Sequence, residues 1–344
     1  MTASSTASRV RFGTPVRRLI VLAVAVLLLF LTLTLSVMLG AKPIPPSTIL
    51  DAFRGQAGVE DAYIVLDTRL PRALLGLIAG SALGVAGALI QAFTRNPLAD
   101  PGILGVNAGA AFAVTIGVAF FGVASIHGYL WFAFFGAAAV TVIVYALGTS
   151  GRGGVSPLQL TLVGVAVGAL LGGISSGIAL LNPDAFAQMR DWGAGTLSGR
   201  GWDIVMAVTP FILAALVLSL ALAPSLNIIV LGDELAGSLG ARVLRTRVLV
   251  ILAVTILSGA ATAAAGPIGF VGLMVPHICR WFLGPDQRWI LTFTIVVAPI
   301  LTTAADIIGR LIVAPQEVQV GIVIALVGAP VLVSLARRAK VSGL

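Results

Sequence analysis

The chain has 344 residues, of which 58% are hydrophobic and only 10% are charged, and its mean hydropathy is +1.08. A soluble globular domain carries about 25% charged residues, so this composition excludes a soluble protein and indicates that lipid is the solvent. The net charge of +8 does not indicate nucleic-acid binding, because basic and aromatic residues are not interleaved in a patch and membrane proteins collect arginine in their cytoplasmic loops.

Ten apolar segments, bounded by glycine, proline or charged residues, predict ten membrane-spanning helices. A helical span needs roughly 20 apolar residues. The segments lie near residues 19–39, 71–92, 103–123, 129–148, 158–181, 204–223, 246–265, 267–282, 289–308 and 319–336. We therefore expect an all-α polytopic membrane protein, with a cytoplasmic arm at 1–18 and a single transmembrane domain at 19–338.

The first apolar segment follows Arg17 and Arg18 and is too long for a signal peptide, whose apolar core has about 7–15 residues. We interpret it as a retained span. The loop after it, Ala41 to Leu70, opens with prolines that prevent the helix from continuing. Within this loop, Ser47 to Phe53 could form a short surface helix.

The distribution of arginine and lysine predicts the orientation. If the N-terminus is cytoplasmic, the larger share of these residues falls in cytoplasmic segments, as the positive-inside rule requires. An even number of spans then puts the C-terminus on the same side. The expected location is the cytoplasmic membrane of the cell, with both termini inside.

Glycines at four-residue spacing form two helical ridges. The ridge of the predicted fifth span consists of Gly164, Gly168 and Gly172, and a similar GxxxGxxxG pattern starts at Gly76 in the second span. Small residues let helices approach closely in lipid, so ordinary helix packing explains either ridge. The alternative for the ridge that starts at Gly164 is a smooth wall beside a translocation path or a dimer seam.

The sequence lacks the residues of several familiar activities. A P-loop needs Gly-Lys-Ser/Thr, and neither Lys42 nor Lys340 lies in such a context. One cysteine, Cys279, and two distant histidines cannot form a soft-ligand metal cluster. No charged residue falls clearly in the middle of a span, which disfavours a proton-coupled carrier. We therefore expect no catalytic residue, no metal and no cofactor.

Four stretches, taken together in this order and spacing, resemble one family. They are RLPRALLGLIAGSALGVAGALIQAFTRNPLADPGILGVNAGA at 69–110, GDELAGSLGAR at 232–242, GPIGFVGLMVPHICRWFLGPDQR at 266–288 and ADIIGR at 305–310. They resemble the permease subunits of ATP-driven importers for iron–siderophores, haem and vitamin B12, the FecCD-type permeases. The similarity extends from about Arg69 to the arginines near the C-terminus.

The resemblance implies the fold of a type II ABC (ATP-binding-cassette) importer permease and a set of partners. Two permease subunits, identical or paralogous, pair around a central path; two ATPase chains bind on one side and an extracytoplasmic substrate-binding protein docks on the other. The implied cargo is a ferric siderophore, with haem and cobalamin left open. The alternative is a secondary transporter that is driven by a gradient and works without an ATPase.

The polar segment at 232–242 matches the family's coupling helices, which contact the ATPase. Gly232 and Asp233 suit the start of a helix, and Leu235 and Leu239 share one helix face. So short a helix is not stable without a docking partner. The alternative is a solvated loop. The predicted coupling residues are Gly232, Asp233, Glu234, Leu235, Ala236, Leu239 and Gly240.

Arg69, Arg72 and Arg310 fall on the predicted outer face, against the general charge bias. In the family, arginines at matching positions face glutamates of the substrate-binding protein. As exposed ion pairs they would guide the approach and the docking position of the binding protein more than they would increase its affinity. The alternatives are anchoring in lipid headgroups or, for Arg310, a local pair with Asp306.

Overall fold

A computed structural model describes residues 15–123, 125–149, 157–240 and 242–339, and over these ranges the chain is helical without any strand. The predicted N-terminal arm lies, up to residue 14, outside the described residues. The α-helices, numbered in chain order, are α1 (Pro15–Met38), α2 (Pro46–Phe53), α3 (Val59–Tyr63), α4 (Leu70–Thr94), α5 (Val106–Phe121), α6 (Ile126–Thr149), α7 (Pro157–Leu181), α8 (Pro183–Gly193), α9 (Trp202–Ile229), α10 (Asp233–Ser238), α11 (Val243–Ala265), α12 (Val271–Leu283), α13 (Gln287–Ile312) and α14 (Val320–Ala339).

Within the described ranges, ten apolar helices account for the ten predicted spans. Seven are long and apolar enough to cross a membrane: α1, the stretch that ends in α4, α6, α7, α9, α11 and α13. Three shorter apolar helices, α5, α12 and α14, complete the set. The prediction of an all-α fold with about ten spans is confirmed. At 1.5 Å per residue, the 13 residues of α12 extend only about 20 Å.

Helix α4 is the centre of the fold. A π-helical stretch, Ile64–Arg69, leads into it without a break, and nearly all of its residues are buried against α9, α11, α12 and α13. Gly80 lies against α13 so closely that a Cβ atom there would be 2.7 Å from the Cα atom of Pro299. Gly76 and Gly84, one turn to either side, also face α13. This first glycine ridge is therefore a helix-packing surface.

Helices α5, α6 and α7 form a second group. The backbones of α5 and α6 cross at Gly109 and Gly136, where neither residue leaves space for a side chain. Helix α7 packs on this pair along one edge, and most of its remaining surface is exposed, including Leu162, Val165 and Leu170. The part of the chain that the structure describes leaves that surface of α7 uncovered.

Two surface helices flank the spans. The short helix expected in the first loop is confirmed as α2. Helix α8 was not predicted, although its start has a recognisable signal: the side chain of Asn182 accepts a hydrogen bond from the backbone N–H of Ala185 at 3.0 Å, and Pro183 occupies the first helical position.

Helix α1 starts four residues before the predicted first span and is attached to the body near its N-terminus. Arg18 donates a hydrogen bond to the carbonyl of Leu283 at 3.1 Å, at the end of α12. The same guanidinium group lies over the ring of Trp289, 5.5 Å from its centre. These contacts hold an otherwise lipid-facing helix against α12 and α13.

Candidate functional site

The predicted coupling segment is a short helix, α10, held between two glycine turns. Gly232 precedes the helix with a φ of 111°, and Gly240 follows it with a φ of 77°. Residues with a Cβ atom rarely adopt either conformation. Helix α10 packs against the ends of α9 and α11. The segment is therefore one helix of six residues followed by a turn.

The side chains of this segment divide into an outward face and an inward face. Leu235 is 58% exposed and Leu239 is 62% exposed, and Glu234 is exposed as well. Ala236 is completely buried. Its small size therefore suits packing against the transmembrane helices, and its role among the predicted coupling residues stays a prediction. Asp233 begins the helix, and its side chain lies outside the described part of the structure.

The loop after α4 also reaches this segment. Arg95 adopts a left-handed backbone conformation at the end of α4. Its Nη1 atom lies 3.7 Å from the position that a Cβ atom on Gly232 would occupy. Arg95 lines one cavity together with Glu234 and Leu235. The coupling segment therefore includes a contact from a loop more than a hundred residues earlier in the chain.

At the other end of the transmembrane helices, Arg72 is the centre of a buried ion cluster. Its guanidinium group forms a bidentate pair with Asp306, with Nη2–Oδ1 at 2.7 Å and Nε–Oδ2 at 3.0 Å. Its Nη1 atom donates to Glu317 at 2.8 Å and to the hydroxyl of Ser198 at 3.3 Å. Arg72 thereby joins α4 to α13 and to the segments before α9 and α14.

Arg310 and Arg69 donate hydrogen bonds to backbone carbonyls at the C-terminal end of α1. Arg310 donates to the carbonyl of Ser36 at 2.9 Å and to that of Leu39 at 3.0 Å, and it pairs with Asp306 at 2.9 Å. Arg69 donates to the carbonyl of Val37 at 2.8 Å, to that of Met38 at 2.9 Å and to that of Lys42. The last carbonyls of a helix lack partners within the helix, so the two arginines cap α1.

We define this set as the outer arginine cluster, named after the face that the sequence predicts for it: Arg69, Arg72, Arg310, Asp306 and Glu317. The three arginines are only 7%, 8% and 3% exposed. The expectation of exposed pairs is therefore wrong, because the arginines are buried and hydrogen-bonded within the chain. For Arg310, the alternative of a pair with Asp306 is confirmed. Three guanidinium groups face two carboxylates, so the cluster retains one positive charge in excess.

The second glycine ridge, on α7, is tightly packed at Gly164 and has more space around it toward Gly172. Gly164 lies directly against the carbonyl oxygen of Ile103. A Cβ atom on Gly168 would be 3.7 Å from that of Ala108, which is an ordinary contact, and one on Gly172 would have no described atom within 4 Å. The ridge therefore packs against its own chain only near Gly164.

Within the described residues, no group of three or more His, Cys, Asp or Glu side chains could hold a metal ion. The features left for function are an exposed short helix at one end, a buried ion cluster at the other and an uncovered small-residue face on α7.

Comparison with known proteins is consistent with these features. The ferric enterobactin transport system permease protein FepD of Escherichia coli (strain K12) is 50% identical over 323 residues, which cover 94% of this chain and 96% of that protein. The hemin transport system permease protein HmuU of Yersinia pestis is 36% identical and covers 81% of this chain and 84% of its own length. The cobalamin import system permease protein BtuC of Halobacterium salinarum is 38% identical over 310 residues, with 90% and 83% covered.

The fold has a solved counterpart in an inward-facing conformation of a metal-chelate type ABC transporter. The two chains align with a TM-score of 0.82 at 26% identity, covering 92% of this chain and 99% of the other. The FecCD transport family matches residues 27–338. The resemblance seen in the four stretches is thereby confirmed, and the chain belongs to the FecCD transport family.

Proposed function

We propose that this chain, a permease subunit of an ABC importer, carries a ferric siderophore across the cytoplasmic membrane. The observation that carries this proposal is the 50% identity, over nearly the whole of both chains, to a ferric enterobactin permease. The hemin and cobalamin permeases are less similar, at 36% and 38% identity. The family consists of permease subunits whose ATPase is a separate chain, so ATP hydrolysis is assigned to that partner.

The proposed mechanism is alternating access driven through α10. When the ATPase chains close on ATP, they displace the helix that they hold, and the attached helices α9 and α11 tilt with it. Such a shift requires that the ATP-bound and nucleotide-free states hold α10 differently. The exposed side chains of Leu235, on α10, and Leu239, at the turn after it, support this proposal, because they form an apolar contact surface at a helix too short to be stable alone.

Two ATPase chains are proposed at the end that carries α10, on the cytoplasmic side together with both chain termini. The excess of arginine and lysine near that side supports the orientation. A second permease subunit, identical or paralogous, is proposed against the uncovered face of α7. The open end of the ridge at Gly172 supports this assignment to a seam or to the wall of the translocation path.

Docking of the extracytoplasmic binding protein at the outer arginine cluster remains a proposal in modified form. All three arginines have partners within the chain, but only Arg72 has an ion-pair partner at the surface, since the side chain of Glu317 is about one-third exposed. We therefore assign the direct contact to Arg72. A carboxylate of the binding protein would take the place of Glu317. The single positive charge in excess within the cluster supports the attraction of an acidic partner.

The test is uptake by the reconstituted importer, with its ATPase and binding-protein partners in sealed vesicles. The cargo panel is a ferric catecholate siderophore, a ferric hydroxamate, hemin and cobalamin. We expect ATP-dependent uptake of a ferric siderophore and none of cobalamin. Uptake of hemin or cobalamin alone would contradict the proposed cargo. Uptake driven by an ion gradient in vesicles that lack the ATPase would instead favour the secondary transporter.

A further inference from the structure

A cavity of about 490 Å³ lies between the ends of α9 and α11, beside the turn that follows α10. Apolar side chains form one part of its wall: Leu222 and Ile228 from α9 and Leu249 from α11. This wall is not part of the outward face of α10 that carries Leu235. Of the predicted coupling residues, only Leu239 and Gly240 line the cavity.

The opposite part of the wall is basic. Arg242 and Arg245 line the cavity, and the residues Ser225 and Thr246 add hydroxyl groups. No acidic residue is among the lining residues. Both arginines are exposed, and neither guanidinium group pairs with another described residue. Two adjacent guanidinium groups without a carboxylate attract an anion, and their planar donors suit a phosphate.

The depth of the apolar wall distinguishes between possible anions. Leu222 lies one full α9 heptad before the end of that helix at Ile229, and Leu249 lies nearly as far beyond the start of α11 at Val243. At 1.5 Å per residue, the wall extends about 10 Å from the helix ends toward the middle of the spans. A soluble anion or a polar partner chain would stay at the level of the arginines and leave this wall unused.

We propose that this cavity binds an anionic phospholipid. Its phosphate lies between Arg242 and Arg245, and the upper part of one acyl chain lies along Leu222 and Leu249. Basic pockets between transmembrane helices suit acidic headgroups. A lipid is also the one anion that supplies hydrocarbon at the depth where the apolar wall lies.

This site has a consequence for the short helix. Leu239 and Gly240, at the turn after α10, line the same cavity. A bound lipid therefore holds that turn against α9 and α11 and limits the positions that α10 adopts. The inference depends neither on the cargo nor on which side of the membrane carries α10, since it needs only the ends of two spans at a lipid surface.

The test uses the full-length chain in nanodiscs of phosphatidylcholine that contain a few mole per cent of phosphatidylglycerol. The measured quantity is the enrichment of phosphatidylglycerol among lipids that stay bound to the protein, detected by native mass spectrometry. We expect enrichment on the order of tenfold for the wild-type chain, since each arginine near a headgroup favours an anionic lipid severalfold. The double variant Arg242→Gln/Arg245→Gln should lose it.

The matched control is Arg17→Gln/Arg288→Gln, which removes two exposed arginines from the same end of the molecule without touching the cavity. It should keep the enrichment. Thermal unfolding of each variant checks that the fold is intact. Equal enrichment in wild type and the cavity double variant would overturn the proposal, and so would an equal loss in the control, which would mean a diffuse surface charge.

A second variant and a soluble probe separate a lipid from a free anion. Leu249→Trp puts a larger side chain into the space beside the apolar wall and leaves both arginines in place, so it should reduce phosphatidylglycerol enrichment. Glycerol phosphate, which has the headgroup chemistry without acyl chains, should not compete with the lipid. Full competition by glycerol phosphate would overturn the lipid assignment. A result in which Arg242→Gln/Arg245→Gln weakens ATPase binding and leaves lipid enrichment unchanged would do the same.

Discussion

The glycine ridges of α4 and α7 have the same four-residue spacing and opposite surroundings. On α4, the ridge at Gly76, Gly80 and Gly84 is covered along its length by α13. On α7, the described residues cover the ridge only near Gly164, and none of their atoms lies within 4 Å of the position of a Cβ atom on Gly172. The spacing makes a helix face smooth, and the tertiary neighbours decide whether that face holds the fold together or stays available to another chain.

The two ends of the transmembrane helices show the same contrast between side chains with partners inside the chain and side chains that stay exposed. In the outer arginine cluster, buried guanidinium groups donate hydrogen bonds to carboxylates and helix carbonyls of the same chain. On α10 and at the turn that follows it, Leu235 and Leu239 remain exposed at the surface. Regions with internal partners should respond to mutation through folding. Regions without them should respond through assembly and transport.

The largest effect is expected at Gly80. In Gly80→Leu, a side chain would have to fit where a Cβ atom already lies 2.7 Å from the backbone of Pro299. Overpacking costs about 1–3 kcal/mol where neighbours can move and more where the neighbour is backbone. We expect loss of the folded protein, measured as the monodisperse fraction in detergent and its thermal unfolding.

The matched control is Gly172→Leu, which makes the same substitution in the same motif on α7. It should fold with an unchanged unfolding temperature in the isolated chain and reduce transport in the assembled importer. If both variants unfold alike, or if both fold normally, the contrast between the two ridges is wrong.

An intermediate effect is expected at Asp306. Asp306→Asn removes the charge that pairs with both Arg72 and Arg310 and leaves two guanidinium groups buried with only part of their partners. Breaking a buried ion pair from one side costs about 3–5 kcal/mol. The prediction is a clear decrease in the unfolding temperature in detergent, with residual transport at low temperature. An unfolding temperature equal to that of the wild type would contradict it.

Glu317→Gln is the control for this cluster, because Glu317 is partly exposed and, among the described residues, forms an ion pair only with Arg72. Its effect on stability should be within about 1 kcal/mol. The same variant sharpens the docking proposal: with Arg72 released, an acidic binding protein should bind more tightly at low salt. An unchanged affinity for the binding protein would contradict the docking proposal and leave the cluster with a role in the fold alone.

The smallest effect on stability is expected at α10. Leu235→Ala/Leu239→Ala removes exposed side chains, so the unfolding temperature of the isolated chain should stay the same. Transport by the reconstituted importer should decrease by roughly tenfold or more, as expected when apolar anchors at an interface are truncated. Basal ATP hydrolysis should continue. The control Leu19→Ala/Leu27→Ala truncates two exposed leucines on α1 and should transport normally.

Local sequence signals were sufficient for several elements. Apolar runs located the spans, and even the short α5 and α12 were found because glycine and proline mark their ends. Gly232 predicted the start of α10, since its position follows from a local preference for a backbone conformation. Helix α8 had a local signal as well, in Asn182 and Pro183, but its composition is too polar to appear in a search for apolar runs.

The outer arginine cluster could not be predicted in the same way. A pair such as Asp306 and Arg310, four residues apart on one helix, was visible as an alternative. The pairing of Arg72 with Asp306 spans 234 residues, and the capping of α1 by Arg69 and Arg310 depends on where α1 docks. Three arginines near the ends of predicted spans therefore resembled an exposed patch.

The sequence by itself determined the lipid solvent, the ten apolar helices, the family and the short polar helix between α9 and α11. Each follows from composition, from local backbone preference or from motifs read in order along the chain. Only the tertiary structure decided which glycine ridge is covered, which arginines are buried and that Arg242 and Arg245 share a cavity with an apolar wall. The physical reason is that exposure and ion pairing are properties of neighbours, and in a bundle the neighbours come from distant parts of the chain.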